Sequence, residues 1–341
     1  MSIRPLYFLH ASCLEHDPRA HIPMHPDTPE RLVAIEAEMH RREWLGFERR
    51  FAPAAQEREL RLVHTAAHIE AIKRLCLSGG GVIDADTAVG EASFRAARHA
   101  AGAACEMTRA LLSGESRLAF CGVRPSGHHA ERARAMGFCL FNNVAIAAEL
   151  ALAELGARRV FVFDFDVHHG NGTANAFRDR SEVLFVSIHQ EGIYPGTGAL
   201  RDVGTGGGLG STINLPVPAG SGEELWLALT DRVVLPAARS FTPDLVLLSA
   251  GFDAHLDDPL ADCTLQPRSY AQLACRIRDL ADEVGAPLGA VLEGGYSHRA
   301  TAESAASMLA ALAGEGEVES SSSTPSLACS AASFFRQYWP L

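Results

Sequence analysis

Five short apolar runs constrain this chain most: Leu118 to Val123, Val160 to Phe165, Val183 to Ile188, Leu245 to Ala250 and Leu288 to Leu292. A strand with one wetted face alternates apolar and polar residues. Runs without that alternation predict strands covered on both sides, as in a parallel sheet between layers of helices. Helical spacing fills the intervals. Thr28-Pro29-Glu30 reads as a helix start, with Leu32, Ile35 and Met39 on one face of a helix from Pro29 to Glu43. Ser93 to Ser113 carries Phe94, Ala97, Ala101, Ala104, Thr108 and Leu111 at helical intervals, with Gly114 as the stop. Further helices are expected over Asn142 to Leu155, Glu223 to Ala238, Pro267 to Val284 and Ala300 to Ala313, long enough for parallel crossovers.

One doubly wound α/β domain over residues 1–315 accounts for this pattern, leaving 316–341 as a serine-rich linker, Ser320 to Ser323, and a short tail ending Tyr338-Trp339-Pro340-Leu341. The tail either docks on the domain or contacts another subunit, so a homo-oligomer stays open. Gly204 to Gly210 follows no apolar run directly and opens no helix. It reads as a flexible surface loop, since a phosphate cradle needs a helix N-terminus behind it.

With 341 residues, 47% of them apolar, and a mean hydropathy of +0.03, the chain can bury a large core and is neither disordered nor a membrane protein by composition. Its net charge of -11 leaves no basic surplus for nucleic acid, would attract a cationic substrate, and equally serves solubility. The stretch Leu6 to Leu9 is soon broken by His10, Glu15, His16 and Asp17, so neither a signal peptide nor a membrane span is read there. Eight cysteines without a C-x-x-C pair fit reduced thiols of a cytoplasmic protein.

In open α/β sheets ligands bind beyond the carboxyl ends of the strands, so the residues after each run carry the chemistry. They are Arg124 to His129, Asp164 to Asn171, His189, Gly251-Phe252-Asp253 and Glu293-Gly294-Gly295-Tyr296. Asp164, Asp166 and His168 alternate at a strand end, which sends them to one side. With Asp253 brought alongside, two carboxylates and one imidazole would make a three-ligand site with an open position, as in catalytic zinc centres. A second reading fits the same string: Asp164 and Asp166 cap the following helix while His168 packs in the loop. His128 and His129 sit in a turn stiffened by Pro125 and Gly127, and such a pair alone is more often incidental than catalytic. Tyr296 alone reads equally as a core tyrosine. There is no G-x-S-x-G elbow and no H-E-x-x-H helix.

The strings RPSGHHAERARAMGFCLFNN, DFDVHHGNGT, SIHQEGIYPGTG, SAGFDAHLDDPL and LEGGY, in this order, resemble the histone deacetylase family, most closely its class II and bacterial deacetylase-like amidohydrolase members. The resemblance runs from about His16 to Leu312. It implies an arginase-like α/β fold with a central, mostly parallel sheet of about eight strands. It implies a zinc-dependent deacetylase, removing acetyl or other short acyl groups from lysine side chains or similar amines, with Zn2+ held by Asp166, His168 and Asp253. His128 and His129 become the catalytic imidazole pair, Tyr296 the donor to the substrate carbonyl, Asp164 the support of His128, and Asn171 the residue behind His129. Class I members carry aspartate at the Asn171 position, which favours class II. Gly137, Phe138 and Tyr194 match the acyl-lysine tunnel and Leu260 the gatekeeper, while Asp86 falls near a position that touches the substrate backbone. Asp164 and Ser187 resemble a structural K+ site. The expected partner is an acylated lysine peptide or small amine, with neither nucleic acid nor membrane. The rival readings are an acetylpolyamine amidohydrolase, which places glutamate where Leu260 stands, and a non-catalytic acyl-binding protein.

Overall fold

The computed structural model describes residues 4–319 and 324–341, so the Ser320 to Ser323 linker lies outside the described residues. The ten strands among them are β1 (Leu6–Leu9), β2 (Glu48–Phe51), β3 (Gly81–Val82), β4 (Ala88–Val89), β5 (Leu118–Cys121), β6 (Val160–Asp164), β7 (Val183–Gln190), β8 (Thr212–Val217), β9 (Leu245–Ala250) and β10 (Leu288–Leu292). Eight form one sheet in the order β2-β1-β5-β10-β9-β6-β7-β8, every neighbouring pair parallel; β3 and β4 make a separate small antiparallel ribbon.

The five strands expected from apolar runs occupy the inner positions. β6, β7, β9 and β10 are buried at every residue, which explains why they lack polar alternation. The strands of the large sheet not foreseen are β1 and the two edge strands, β2 and β8, and the β3-β4 ribbon was not foreseen either. β2 reads Glu-Arg-Arg-Phe and is largely exposed, so no apolar run marked it.

Helices cover both faces. Ser93–Leu112 packs its alanine-rich face on Asn143–Glu154, and His298–Leu312 packs between Pro267–Val284 and Glu30–Arg41. Small residues at these contacts let helices approach closely, as the fully buried Ala100, Ala101, Ala104, Ala305 and Ala306 show.

Two expectations need correction, and the tail, left open by the sequence, is placed. The helix read over Glu223 to Ala238 runs to Phe241 and is interrupted by a π-helical turn, Thr230–Val234. Pro236 has no N–H to offer the carbonyl of Arg232, and the chain widens just before it. The glycine-rich segment is pinned rather than free: Thr205 N–H donates to Arg178 O (2.7 Å), Gly210 N–H to Val203 O (2.7 Å), and Gly206–Gly208 forms a 3-10 turn. The tail contains a helix, Ser326–Phe335, which docks on the π turn and on Glu223–Leu229 with Phe335 fully buried. Trp339 Nε1–H donates to Gly210 O (2.8 Å), joining the tail to that segment. No helix among the described residues is long and apolar enough to cross a membrane.

Candidate active site

β6 and β9 are neighbours, but the chain leaves their carboxyl ends in opposite directions, toward β7 from β6 and toward β10 from β9. Diverging connections open a crevice beyond the strand ends. Asp164 closes β6, Asp166 and His168 follow it, and Asp253 stands three residues beyond β9. His168 Nδ1 lies 3.2 Å from Asp166 Oδ1 and 3.1 Å from Asp253 Oδ2, with both carboxylates fully buried.

The helix-capping alternative does not hold. The helix Asn171–Ala176 starts at Gly170 without a side-chain cap, and the Asp164 and Asp166 carboxylates accept instead from the N–H groups of Asp166 (3.1 Å) and His168 (2.9 Å).

The donor set fits a small divalent cation. Donors about 2.0–2.2 Å from one tetrahedral ion stand roughly 3.3–3.6 Å from each other, and the carboxylate oxygens here approach His168 Nδ1 slightly closer than that. The surroundings hold them in place. Gly294 N–H donates to Asp166 Oδ2 (2.7 Å) and Val167 N–H to Asp253 Oδ1 (2.9 Å). A Cβ at Gly294 would come within 2.0 Å of Asp253 Oδ2, so only glycine fits.

Burial and the charge of Asp166 push Asp253 up, while burial of Asp166 is outweighed by His128 and His168, which hold it well below the usual carboxylate range. Burial disfavours a charged His168, yet the hydrogen bonds to Asp166 and Asp253 raise its pKa to about 10. Two buried carboxylates demand a nearby positive charge. A proton on His168 meets the demand, and a divalent cation would meet it by displacing that proton. Among the described residues one other cluster has ligand-type spacing, His128, Cys139 and Glu293. Burial and Glu293 push the Cys139 thiol far up, so it stays protonated and is a poor ligand.

The adjacent imidazoles have opposite surroundings. His128 Nδ1 lies 3.1 Å from Asp164 Oδ2; although burial opposes it, the charges of Asp166, Asp164 and Glu293 raise its pKa to about 10. His129 Nδ1 lies 2.8 Å from Asn171 Oδ1, and burial together with His128 and His168 pushes its pKa well below the imidazole norm. Their rings are 3.9 Å apart. Groups whose environments drive their pKa values apart are suited to opposite acid and base roles.

A cavity of about 180 Å³ opens beside this cluster, lined by Asp86, His129, Gly137, Phe138, His168, Tyr194, Leu260 and Tyr296, and by Ile193, which the sequence reading had not singled out. Phe138 and Tyr296 meet edge to face at 5.7 Å, and Tyr194 meets His129 likewise at 5.1 Å. Phe138 sits at φ 67, a left-handed conformation that costs a non-glycine residue about 1–2 kcal/mol. Gly137 before it lies so close to the His129 ring that a Cβ would come within 2.4 Å of it. Burial pushes the Tyr296 phenol well above its ordinary value, so the hydroxyl keeps its proton, and the Arg31 guanidinium rests 4.8 Å from its ring centroid. Ser187 pairs with Asp164 across β6 and β7, and its hydroxyl shares a 2.9 Å hydrogen bond with His189 Nδ1.

Several supporting residues were given no role by the sequence, and Asp27 and Arg31 were not singled out at all. Asp27, Arg31 and Arg124 form a fully buried ion network: Asp27 Oδ1 receives Arg31 Nη1 (2.6 Å) and Arg124 Nε (2.7 Å), and Arg31 also donates to the carbonyls of Glu293 and Gly295. The Glu293 carboxylate accepts from the N–H groups of Gly127 (2.7 Å) and His128 (3.2 Å), tying β10 to the histidine turn. The Asp258 carboxylate accepts from the N–H groups of Tyr296 (2.7 Å) and Leu260 (3.0 Å). Glu293 lies inside the LEGGY string and was singled out there without a role, but a buried arginine looks like any surface arginine in a sequence.

A parallel sheet with two carboxylates and an imidazole at its switch point, beside paired histidines and a narrow cavity, defines the histone deacetylase class of arginase-like proteins. The chain belongs to that family: residues 25–312 match the histone deacetylase domain. It is 41% identical over 300 residues to Histone deacetylase 15 of Arabidopsis thaliana, covering 85% of this chain and 53% of that protein. It is 41% identical over 250 residues to the Histone deacetylase-like amidohydrolase of Pseudomonas aeruginosa (73% and 66%), and 36% identical over 293 residues to a probable deacetylase of Archaeoglobus fulgidus (84% and 80%). The chain thus spans about half to two thirds of the length of the first two of these relatives. The crystal structure of the HDA15 HD domain superposes with a TM-score of 0.91 at 34% identity, covering 99% of this chain and 97% of that one.

Proposed function

We propose that the chain is a zinc-dependent amidohydrolase that removes acetyl or other short acyl groups from lysine side chains. The observation that carries this is the meeting of Asp166, His168 and Asp253 beside an imidazole pair of split basicity, at the base of a narrow aromatic-walled cavity. Asp166, His168 and Asp253 would hold the zinc, whose chemistry there would be Lewis acidity toward an amide carbonyl and a lowered pKa for water.

The remaining steps belong to the chain. Phe138, Tyr194 and Leu260 line the cavity, where they would hold an extended acyl-lysine and limit water around the amide. His129, kept neutral, takes the proton of the attacking water on Nε2. Tyr296, kept protonated, donates a hydrogen bond where the oxyanion develops. His128, kept cationic by its three carboxylates, hands a proton to the departing amine. Asp86 at the cavity edge would engage the substrate backbone. A structural K+ at Asp164 and Ser187 and a cytoplasmic setting for the unpaired thiols complete the proposal.

Leu260 in place of a glutamate supports acyl-lysine over an acylated polyamine. The test is turnover of the zinc-loaded chain on an acetyl-lysine peptide, acetylspermidine and acetylputrescine, with and without chelator. Chelator-sensitive release of acetate chiefly from the peptide is expected. Preference for the polyamines would reassign the substrate, and binding of acetyl-lysine without turnover of anything would leave only an acyl-binding protein.

A further inference from the structure

We propose that Glu131 is a positioning residue that sets the tautomer of His129 by holding the Asn171 amide in one of its two orientations; this rests on the reading of His129 as proton acceptor. A neutral imidazole carries one proton, and the nitrogen that bears it is set by the hydrogen bond made at the other. His129 meets Asn171 through Nδ1 at 2.8 Å. An amide has an accepting and a donating end of nearly equal shape. With Oδ1 toward His129, Nδ1 holds the proton and Nε2 is free to accept. With Nδ2 toward it, Nδ1 becomes the acceptor, the proton moves to Nε2, and the base is lost.

Asn171 Nδ2 faces Glu131 Oε1 at 2.9 Å, and more distantly His129 O at 3.4 Å and Met136 Sδ at 3.5 Å. Reversing the amide would press its carbonyl oxygen against a carboxylate, which cannot donate. Glu131 is the one charged acceptor of the three, and charge-assisted bonds are about twice as strong as neutral ones. Its own place is held from several sides. Asn175 Nδ2 donates to the same Oε1 (2.9 Å), Glu131 N–H donates to Arg134 O (2.9 Å), and Glu131 O accepts from His64 Nδ1 (3.0 Å). An aspartate at position 171 would have no donating end and no need of such a lock. The asparagine at this position is what makes the neighbouring glutamate necessary.

Glu131→Ala is expected to lower kcat by about ten- to a hundred-fold, the equivalent of one charge-assisted hydrogen bond, with KM and zinc content little changed. Glu131→Gln, which still offers an accepting oxygen to Asn171, should retain most activity. Asn171→Asp alone places two carboxylates in contact and should also be impaired, whereas Glu131→Ala/Asn171→Asp should recover toward wild type, because a carboxylate accepts from His129 Nδ1–H whichever way it turns. Two-bond 1H–15N spectra of labelled zinc-loaded protein should show His129 unprotonated at Nε2 in the wild type and mixed in Glu131→Ala. A double variant no faster than Glu131→Ala, or an unchanged His129 signal in Glu131→Ala, overturns the proposal. Wild-type protein inactive on every acyl substrate would instead overturn the proposed function, while the spectra would still decide the role of Glu131.

Discussion

His168 Nδ1 stands 3.1 Å from Asp253 Oδ2, although 85 positions separate the two along the chain. That contact exists because β6 and β9 are adjacent in the sheet, and it brings in the second carboxylate of the proposed cation site. Asp253→Ala should therefore lower zinc affinity by more than about a hundred-fold, beyond the ten- to hundred-fold loss typical of residues that only support metal ligands. Metal analysis of the purified variant checks this, and full zinc occupancy would refute the ligand assignment.

Tyr296 is half-buried, and desolvation holds its phenol well above the ordinary value, so the hydroxyl keeps its proton and would be available as an oxyanion donor. Tyr296→Phe should reduce kcat by about a hundred-fold or more while KM, zinc content and melting temperature stay near wild type. Near-normal release of acetate by this variant would remove the hydroxyl from the mechanism.

Asp258 connects Tyr296 to the cavity mouth, since one carboxylate accepts from both Tyr296 N–H and Leu260 N–H. Asp258→Ala leaves both donors without that partner and should cost about 2–4 kcal/mol in urea denaturation. It should also lower kcat by about tenfold, with a smaller change in KM, as displacement of a catalytic group does. A variant with reduced stability and unchanged kcat would show that the tether serves the fold alone.

The stability that His64 and His189 contribute should be lost as pH drops below about 6.5. Burial and nearby His68 lower His64 to about 3, and burial lowers His189 to about 4. His64 Nε2 accepts from Asn142 N–H (2.8 Å), a bond that a proton there would destroy. Between the unfolded value near 6.5 and these folded values the unfolded chain binds more protons, so unfolding becomes easier as pH decreases. Each such histidine adds a slope of up to about 1.4 kcal/mol per pH unit. Asp258 and Glu293, both raised to about 7, act in the opposite direction as pH falls from 7 toward 4. Denaturation of His64→Gln from pH 6 to 4 should show a shallower dependence on pH, and an equal slope would contradict a buried neutral His64.

Phe335 anchors the tail helix and is fully buried. Phe335→Ala should destabilise by about 3–5 kcal/mol in a urea titration, the usual cost of deleting a buried phenyl ring. A shift below about 1 kcal/mol would mean that the tail contributes little to the stability of the body.

Local chemistry carried much of the reading. Apolar runs without alternation marked five of the six inner strands because a residue buried on either face must be apolar wherever it points, and the helices Ser93–Leu112 and Pro267–Val284 followed from spacing and caps. β2 escaped because an edge strand is wetted and carries Glu48, Arg49 and Arg50. The glycine-rich segment was misread because its order comes from Arg178, Val203 and Trp339, none of which glycine content announces.

From the order of residues came the sheet class, and from its resemblance to a family the candidate ligands Asp166, His168 and Asp253 and the paired imidazoles, because each sits in a string whose pattern is local. Only the tertiary structure decided that His128 and His129 differ in basicity, since that follows from Asp164, Asp166 and Glu293 around one ring and from burial beside Asn171 around the other. It alone placed Arg31 against Tyr296, Asp258 beneath Leu260, and Glu131 behind Asn171. Electrostatic energies depend on separation in space and on exclusion of water, and neither quantity is written along the chain.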